Sequence, residues 1–311
     1  MWLINSRNMK LEFMQNPKKN SYAILSHTWG DDEVSFQEYR QYEQGRAPGH
    51  ARTGLEKIIM TCQLALTRGL AYCWVDTCCI DKSSSAELSE AINSMFQWYK
   101  DAAVCFAYLS DVRAGDSFGR AFAASRWLKR GWTLQELIAP RNVEFYDAAW
   151  SKRSSKAESL TFLSNCTGID REVLEDCTNL SRIPIARRMS WASMRKTTRI
   201  EDTAYCLMGI FDIHMPMIYG EGKKAFMRLQ EEIAKQSCDL SLFAWTSNIP
   251  PELDEPEEDR DERSSEGIRE EFRGAFARSP REFYYSGNLN RGQMGGLMDP
   301  EFTITNKGVR I

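Results

Sequence analysis

Tyr22-Ala-Ile-Leu-Ser-His27 is the stretch of sequence on which the fold assignment rests. Its apolar residues are continuous rather than alternating, which is typical of a strand buried on both faces of a sheet. Three later runs share this composition, at residues 71–76, 104–109 and 143–146. The sequence therefore predicts four buried strands of one parallel sheet.

Helical patterns separate the first three of these strands. Ile58 and Cys62 recur at helical spacing after the first strand, and Gly69 is placed to end that helix. Ile92 and Met95 belong to an apolar face of the same period after the second strand. Strand–helix repeats of this kind predict an α/β fold, with a parallel sheet flanked by helices.

Polar residues follow the first two strands at the points where they end. His27, Trp29 and Gly30 close the first strand, and Asp76 and Asp81 close the second. Open α/β sheets bind their ligands beyond the carboxyl ends of the strands, so all five are candidate substrate-binding residues. The alternative is structural: the histidine nitrogens bond to backbone, and the carboxylates cap the following helix.

Residues 125–140, SRWLKRGWTLQELIAP, carry the main candidate for chemistry. A helix is predicted from Trp132 to Ile138, and on it Trp132 and Glu136 share one face because they are four residues apart. Glu136 is either an ion-paired surface residue, with Arg130 or Lys129 as its partner, or a carboxylate held in a pocket. Walls formed by Trp132 and Trp127 would partly desolvate it in the second case.

The remaining sequence indicates how the chain is organised. The α/β part covers residues 20–150. Successive helical patterns over residues 155–240, at 156–165, 170–176, 184–194, 200–211 and 221–236, predict a helical subdomain. Together the two parts form a main body over residues 1–245. Residues 246–271 are acidic and poor in apolar side chains, as in a solvated linker. Aromatic residues and short alternating runs over residues 272–311 predict a short β-rich segment.

Composition argues against several classes of function. The net charge is −3, so binding of nucleic acid is not expected. No apolar run approaches the roughly 18 residues of a membrane span, and the N-terminus does not have the pattern of a signal peptide. The chain has nine cysteines, several in apolar runs, and these predict buried, reduced thiols in a cytoplasmic protein.

Known site signatures are also missing from the sequence. Cys73, Cys78 and Cys79 lack the paired spacing of structural zinc sites, so no metal is predicted. Neither of the glycine-rich nucleotide fingerprints occurs, nor does the G-x-S-x-G motif of hydrolases. Any catalytic site must therefore be assembled from residues distant in sequence.

Five blocks, in order, resemble the fungal heterokaryon-incompatibility (HET) domain over about residues 20–245. They are Tyr22–Gly30, Tyr72–Asp81, Arg130–Leu137, Ile200–Ile210 and Tyr219–Gly222. The resemblance implies a role in fungal nonself recognition and innate immunity, ending in programmed death of incompatible fused cells. It also implies an activating partner, since HET domains often adjoin nucleotide-binding and repeat regions of the kind found in NLR-like receptors.

A more remote resemblance, to the TIR domain, implies the fold and the chemistry. The first strand runs into a polar Gly/Asp loop, and Trp132 and Glu136 are similar to the W-x-x-x-E motif of TIR domains that cleave NAD. The resemblance implies a TIR/flavodoxin-like sheet with a C-terminal helical subdomain. It further implies an NAD glycohydrolase (NADase) with Glu136 as its catalytic residue, and with NAD as a substrate rather than a cofactor.

Two functions remain open at this point. The first is hydrolysis of NAD at the nicotinamide–ribose bond, with Glu136 stabilising the positively charged transition state and Arg130 meeting the diphosphate. The second is a non-enzymatic signalling or scaffold module that self-associates, as many TIR domains do. Burial of Glu136 would favour the first, and an open surface position would favour the second.

Overall fold

A computed structural model describes residues 1–46, 52–248, 274–290, 302–305 and 308–310. Its centre is a mixed sheet that has seven strands among these residues, in the order β2-β1-β4-β3-β5-β6-β7. The strands are β1 Trp2–Asn5, β2 Lys10–Phe13, β3 Tyr22–His27, β4 Tyr72–Trp74, β5 Val104–Tyr108, β6 Val143–Tyr146 and β7 Lys152–Ser155.

The four predicted strands form the parallel middle of this sheet. β4, β3, β5 and β6 lie side by side in that order, all parallel. Every residue of β3, β5 and β6 is buried, as their unbroken apolar composition predicts. Since β3 precedes both of its neighbours in the chain, the strand order reverses between β3 and β5, as at the ligand-binding point of flavodoxin-like sheets. The predicted α/β fold is confirmed.

Helices lie on both faces of the sheet. They are α1 Phe36–Tyr42, α2 Arg52–Thr67, α3 Ser85–Asp101, α4 Phe118–Ala124, α5 Arg126–Lys129 and α6 Thr133–Ile138. α2 packs on β3 and β4, and α3 contacts α6. Gly69 follows α2 with a φ of 70°, the left-handed conformation in which glycine ends a helix. α3 is tied to β3 by a hydrogen bond: the Tyr22 hydroxyl donates to the carbonyl of Trp98, 2.6 Å away.

The helical half follows the sheet and departs from prediction in two places. Its helices are α7 Leu160–Thr167, α8 Arg171–Glu175, α9 Ile185–Ser190, α10 Asp202–Tyr205, α11 Met208–Phe211 and α12 Lys224–Gln236. The helix expected from residue 156 begins later, because β7 extends the sheet to Ser155. The single helix expected over residues 200–211 is two short ones, and the turn between them brings Gly209 against the Phe96 side chain.

The end of the chain packs on this helical half. A 3-10 helix over Pro280–Asn288 contacts α9, and the Gln230 amide bonds to both the N–H and the carbonyl of Ala277. Thr303–Thr305 and Gly308–Arg310 form a hairpin, β8 and β9. Of the predicted acidic linker over residues 246–271, residues 249–271 lie outside the described part of the chain. Among the helices that are described, none has the length and apolar character to cross a bilayer.

Candidate functional site

Glu136 lies in α6 and is buried, with 6% of its surface exposed. The Ser26 hydroxyl, near the carboxyl end of β3, donates a hydrogen bond to its carboxylate. The Trp127 indole donates in turn to the Ser26 oxygen, at 2.7 Å. Among the described residues Glu136 has no ion-pair partner within 4 Å. It is therefore not an ion-paired residue on the helix surface, which was the structural alternative for this side chain.

Burial dominates the ionisation of Glu136. It raises the pKa of the carboxyl to about 8, because the charged form has lost its water. The hydrogen bond from Ser26 and the positive charge of Arg130 act in the opposite direction, while the Asp76 carboxylate raises the pKa further. At neutral pH a large share of this carboxyl is therefore protonated in the ligand-free protein.

Two cationic side chains fix the helix that carries Glu136. The Arg195 guanidinium donates to the Arg130 carbonyl at 3.0 Å and to the Thr133 hydroxyl at 2.9 Å, just before and within the first turn of α6. The buried Lys156 ammonium donates to three carbonyls at the other end of α6. Cations at a helix C-terminus satisfy carbonyls that have no helical partner. α6 is thus held at both ends.

Trp132 lies four residues before Glu136 at the start of α6. It precedes the first residue of α6, is half-buried, and hydrogen-bonds to the Asp202 carboxylate in the helical half. Trp127 is the tryptophan connected to Glu136, through Ser26. Sequence reasoning named Trp127 as a wall but missed Ser26, whose one available signal was a hydroxyl inside an apolar strand.

His27 occupies the other face of the sheet from Ser26, because successive residues of a strand point in opposite directions. Its Nε2 lies 3.4 Å from a Glu33 oxygen and its Nδ1 lies 3.8 Å from an Asp76 oxygen. Neither ring nitrogen makes a hydrogen bond to any described residue. Asp76, just beyond β4, is therefore the group that is close to His27 and also influences the pKa of Glu136.

Glu33 is a third acidic residue of the site, and sequence reasoning missed it. Its burial opposes ionisation, but His27, the Lys57 ammonium and the Gly30 N–H outweigh that effect and lower the pKa to about 2. The Gly30 N–H donates to Glu33 at 2.8 Å. Gly30 is thus placed in the loop beside His27, where it serves to hold Glu33 in position.

The remaining predicted residues divide into two groups. Trp29 is 37% exposed and donates its indole N–H to Asp76 at 2.8 Å, and the Arg130 guanidinium lies over its ring. Asp81 accepts hydrogen bonds from Ser83 and Gln37 in the turn before α3. Trp29 and Arg130 therefore share the edge of the sheet with Asp76. Asp81 is engaged in a turn and does not cap α3, because the N-cap of that helix is Ser84.

A separate cavity of about 340 Å³ lies at the opposite edge of the sheet, with Val104 and Val143 at the starts of β5 and β6 in its wall. Its charged side chains are largely paired with one another, since Glu144 bonds to both Arg68 and Lys152. This cavity contains none of the predicted site residues. The candidate site is instead the buried acidic centre around Glu136 and Asp76.

These observations define an α/β protein of flavodoxin-like strand order, with a buried carboxyl where the strand order reverses. Residues 22–123 match the family described as heterokaryon incompatibility protein (HET), and residues 224–311 match a domain of unknown function (DUF8212). The chain is a HET-domain protein, as the five sequence blocks predicted. Glu136 lies beyond the residues that the HET family match covers.

A curated relative extends the similarity. Vegetative incompatibility protein HET-E-1 of Podospora anserina is 49% identical over 222 residues, which cover 69% of this chain. The chain corresponds to 16% of the length of that relative. No solved structure matches the chain.

Proposed function

We propose that this protein is an effector of fungal nonself recognition that hydrolyses NAD at the nicotinamide–ribose bond, with Glu136 as the catalytic carboxylate. The HET family match and the similarity to a vegetative incompatibility protein support the biological role. The burial of Glu136 where the strand order reverses is the observation that carries the enzymatic part. Fold alone would not support an activity.

The reaction requires one carboxylate and no general acid. When the N-glycosidic bond breaks, both bonding electrons go to the nicotinamide nitrogen, so the cationic ring leaves as neutral nicotinamide. Positive charge then develops on the ribose, and a carboxylate beside it lowers the energy of that state. Water adds to the ribose carbon and releases one proton, giving ADP-ribose. The carboxylate of Glu136 is the one protein group that this reaction scheme requires.

The raised pKa of Glu136 is compatible with this role. A nearby positive charge favours the ionised form of a carboxyl, and the nicotinamide ring of NAD carries that charge. Binding of the substrate would therefore release the proton and create the carboxylate next to the bond that breaks. Low local polarity around a buried group also strengthens its interaction with the developing charge.

Release of nicotinamide tests the enzymatic proposal. Purified protein is incubated with NAD at dilute and at high concentration, alongside Glu136→Gln and a matched surface variant, Glu172→Gln on α8. We expect release by the wild type and by Glu172→Gln, and a loss of at least about 100-fold in Glu136→Gln. Release that does not depend on Glu136 would refute its assignment.

Assembly and cell death form the second part of the test. Dependence of nicotinamide release on protein concentration would support self-association as the activating step. Expression of the wild type in fungal cells should deplete the cytoplasmic NAD pool and then kill the cells. Expression of Glu136→Gln should cause neither NAD depletion nor death. Death without NAD loss, together with no release by the assembled wild type, would favour a non-enzymatic signalling module instead.

A further inference from the structure

Three cationic side chains converge on Trp29, at the same edge of the sheet as Asp76. The Lys82 ammonium lies 3.8 Å from the centre of the indole ring, and the Arg130 guanidinium carbon lies 5.4 Å from it. The Arg126 guanidinium donates to the backbone carbonyl of Trp29 at 3.4 Å. Two cations thus contact the ring, and a third donates to its backbone.

Within the described part of the chain, these three side chains form no salt bridge. Among the described residues, none of the three has a carboxylate oxygen within 4 Å, although Asp76 is nearby. Asp76 instead accepts from the Trp29 indole at 2.8 Å, and this bond fixes the ring that the cations contact. Desolvation and the charge of Arg130 both lower the pKa of Lys82, against the attraction of Asp76. Like charges gathered around one side chain repel one another unless an anion offsets them.

The geometry points to an anion subsite in which Lys82, Arg126 and Arg130 bind the diphosphate of a nucleotide. The Trp29 ring holds Lys82 and Arg130 in place. Guanidinium groups suit phosphate because their planar N–H donors match its oxygens, and an ammonium adds a compact charge. Two negative charges on a diphosphate would offset most of the local positive charge. This inference rests on the proposed function. It identifies the substrate class as nucleotides that contain a diphosphate.

The position of the subsite agrees with the chemistry at Glu136. Asp76 bonds to Trp29, and its charge also acts on Glu136, so the two regions share one neighbour. In NAD a single ribose separates the diphosphate from the bond that breaks. A diphosphate over Trp29 would therefore place that ribose on the side of Asp76, towards the buried carboxyl.

Binding of ADP compared with adenosine isolates the diphosphate. We would measure both by calorimetry on the full chain, for the wild type, Lys82→Met and Arg130→Met. Lys100→Met is the matched control, since it removes an equal charge from the far end of the helix that follows Lys82. We expect ADP affinity to fall about tenfold in each subsite variant, with adenosine affinity and Lys100→Met unchanged. Lys82→Arg should keep most of the affinity for ADP.

Two outcomes would overturn the subsite: equal ADP affinity in all variants, or equal losses for ADP and adenosine. Thermal melting of each variant identifies any that fails to fold, and Lys82→Arg keeps the charge at that position. Nicotinamide riboside, which has no diphosphate, separates this inference from the proposed function. A third outcome is that the wild type releases no nicotinamide from NAD or from the riboside, while Lys82→Met and Arg130→Met still bind ADP more weakly than the wild type does. In that case the proposed function fails and the subsite stands.

Discussion

The Ser26 hydroxyl donates a hydrogen bond to the Glu136 carboxylate across 110 residues of sequence. Because the same hydroxyl accepts from Trp127, its own proton is directed at Glu136. This bond joins the first strand of the parallel sheet to α6. It favours the ionised form of a carboxyl whose burial otherwise favours protonation.

Replacing Ser26 by alanine should therefore affect both stability and ionisation. The Trp127 N–H would be left buried without an acceptor, at a cost of about 1–3 kcal/mol in the free energy of unfolding. Urea unfolding measures that loss. Adding Trp127→Phe to Ser26→Ala should cost less than Trp127→Phe does alone, because the donor has already lost its acceptor. Strictly additive losses would contradict the Trp127–Ser26 bond.

Replacing Glu136 by glutamine should stabilise the protein, and more so as the pH rises. The carboxyl has a pKa of about 8 in the folded protein and an ordinary value of 4.5, so between these values the folded state keeps a proton that the unfolded state has lost. The wild type consequently loses stability over this range, by on the order of 5 kcal/mol in total. Glutamine does not titrate and avoids that loss.

Melting temperatures at pH 5 and pH 8.5 test this directly. We expect the difference between Glu136→Gln and the wild type to be small at the lower pH and several degrees at the higher one. The surface variant Glu172→Gln should follow the wild type at both. A difference that shrinks as the pH rises would show that Glu136 is ionised in the folded protein well below pH 8.

The proposed hydrolysis should show the same group kinetically. Since the carboxylate is the active form, kcat/KM for NAD should rise with pH and level off above an inflection near 8, the pKa of Glu136 in the free protein. Ser26→Ala should move the inflection to higher pH, because it removes a hydrogen bond that favours the ionised form. Rates of nicotinamide release from about pH 6 to 9.5 provide the measurement. A flat profile would exclude Glu136 as the titrating group.

The parallel strands could be predicted because burial on both faces leaves a continuous apolar run. β3 and β6 begin and end where the sequence indicated, at Tyr22–His27 and Val143–Tyr146. The edge strands could not be found in this way. β2, Lys10–Phe13, has one buried residue among partly or fully exposed ones, so its composition does not distinguish it from a loop.

The candidate site was only partly accessible to sequence reasoning. Helical spacing located Glu136, and the sequence placed both Trp132 and Trp127 beside it. The hydrogen-bonded link through Ser26 to Trp127 depends on how a strand and a helix pack together. No local pattern in the sequence carries that information.

Gly209 gives a test of the packing between α11 and α3, in one of the five blocks that identified the family. A methyl group at this position would lie 2.2 Å from the Phe96 Cβ, and neither helix can move far within the core. Gly209→Ala should therefore lower the free energy of unfolding by about 2–3 kcal/mol, as overpacked core substitutions do. Gly115→Ala is the matched control, because no atom lies within 4 Å of the added methyl group there. Urea unfolding of the two variants side by side measures the difference, and equal stabilities would contradict the close approach of α11 to Phe96.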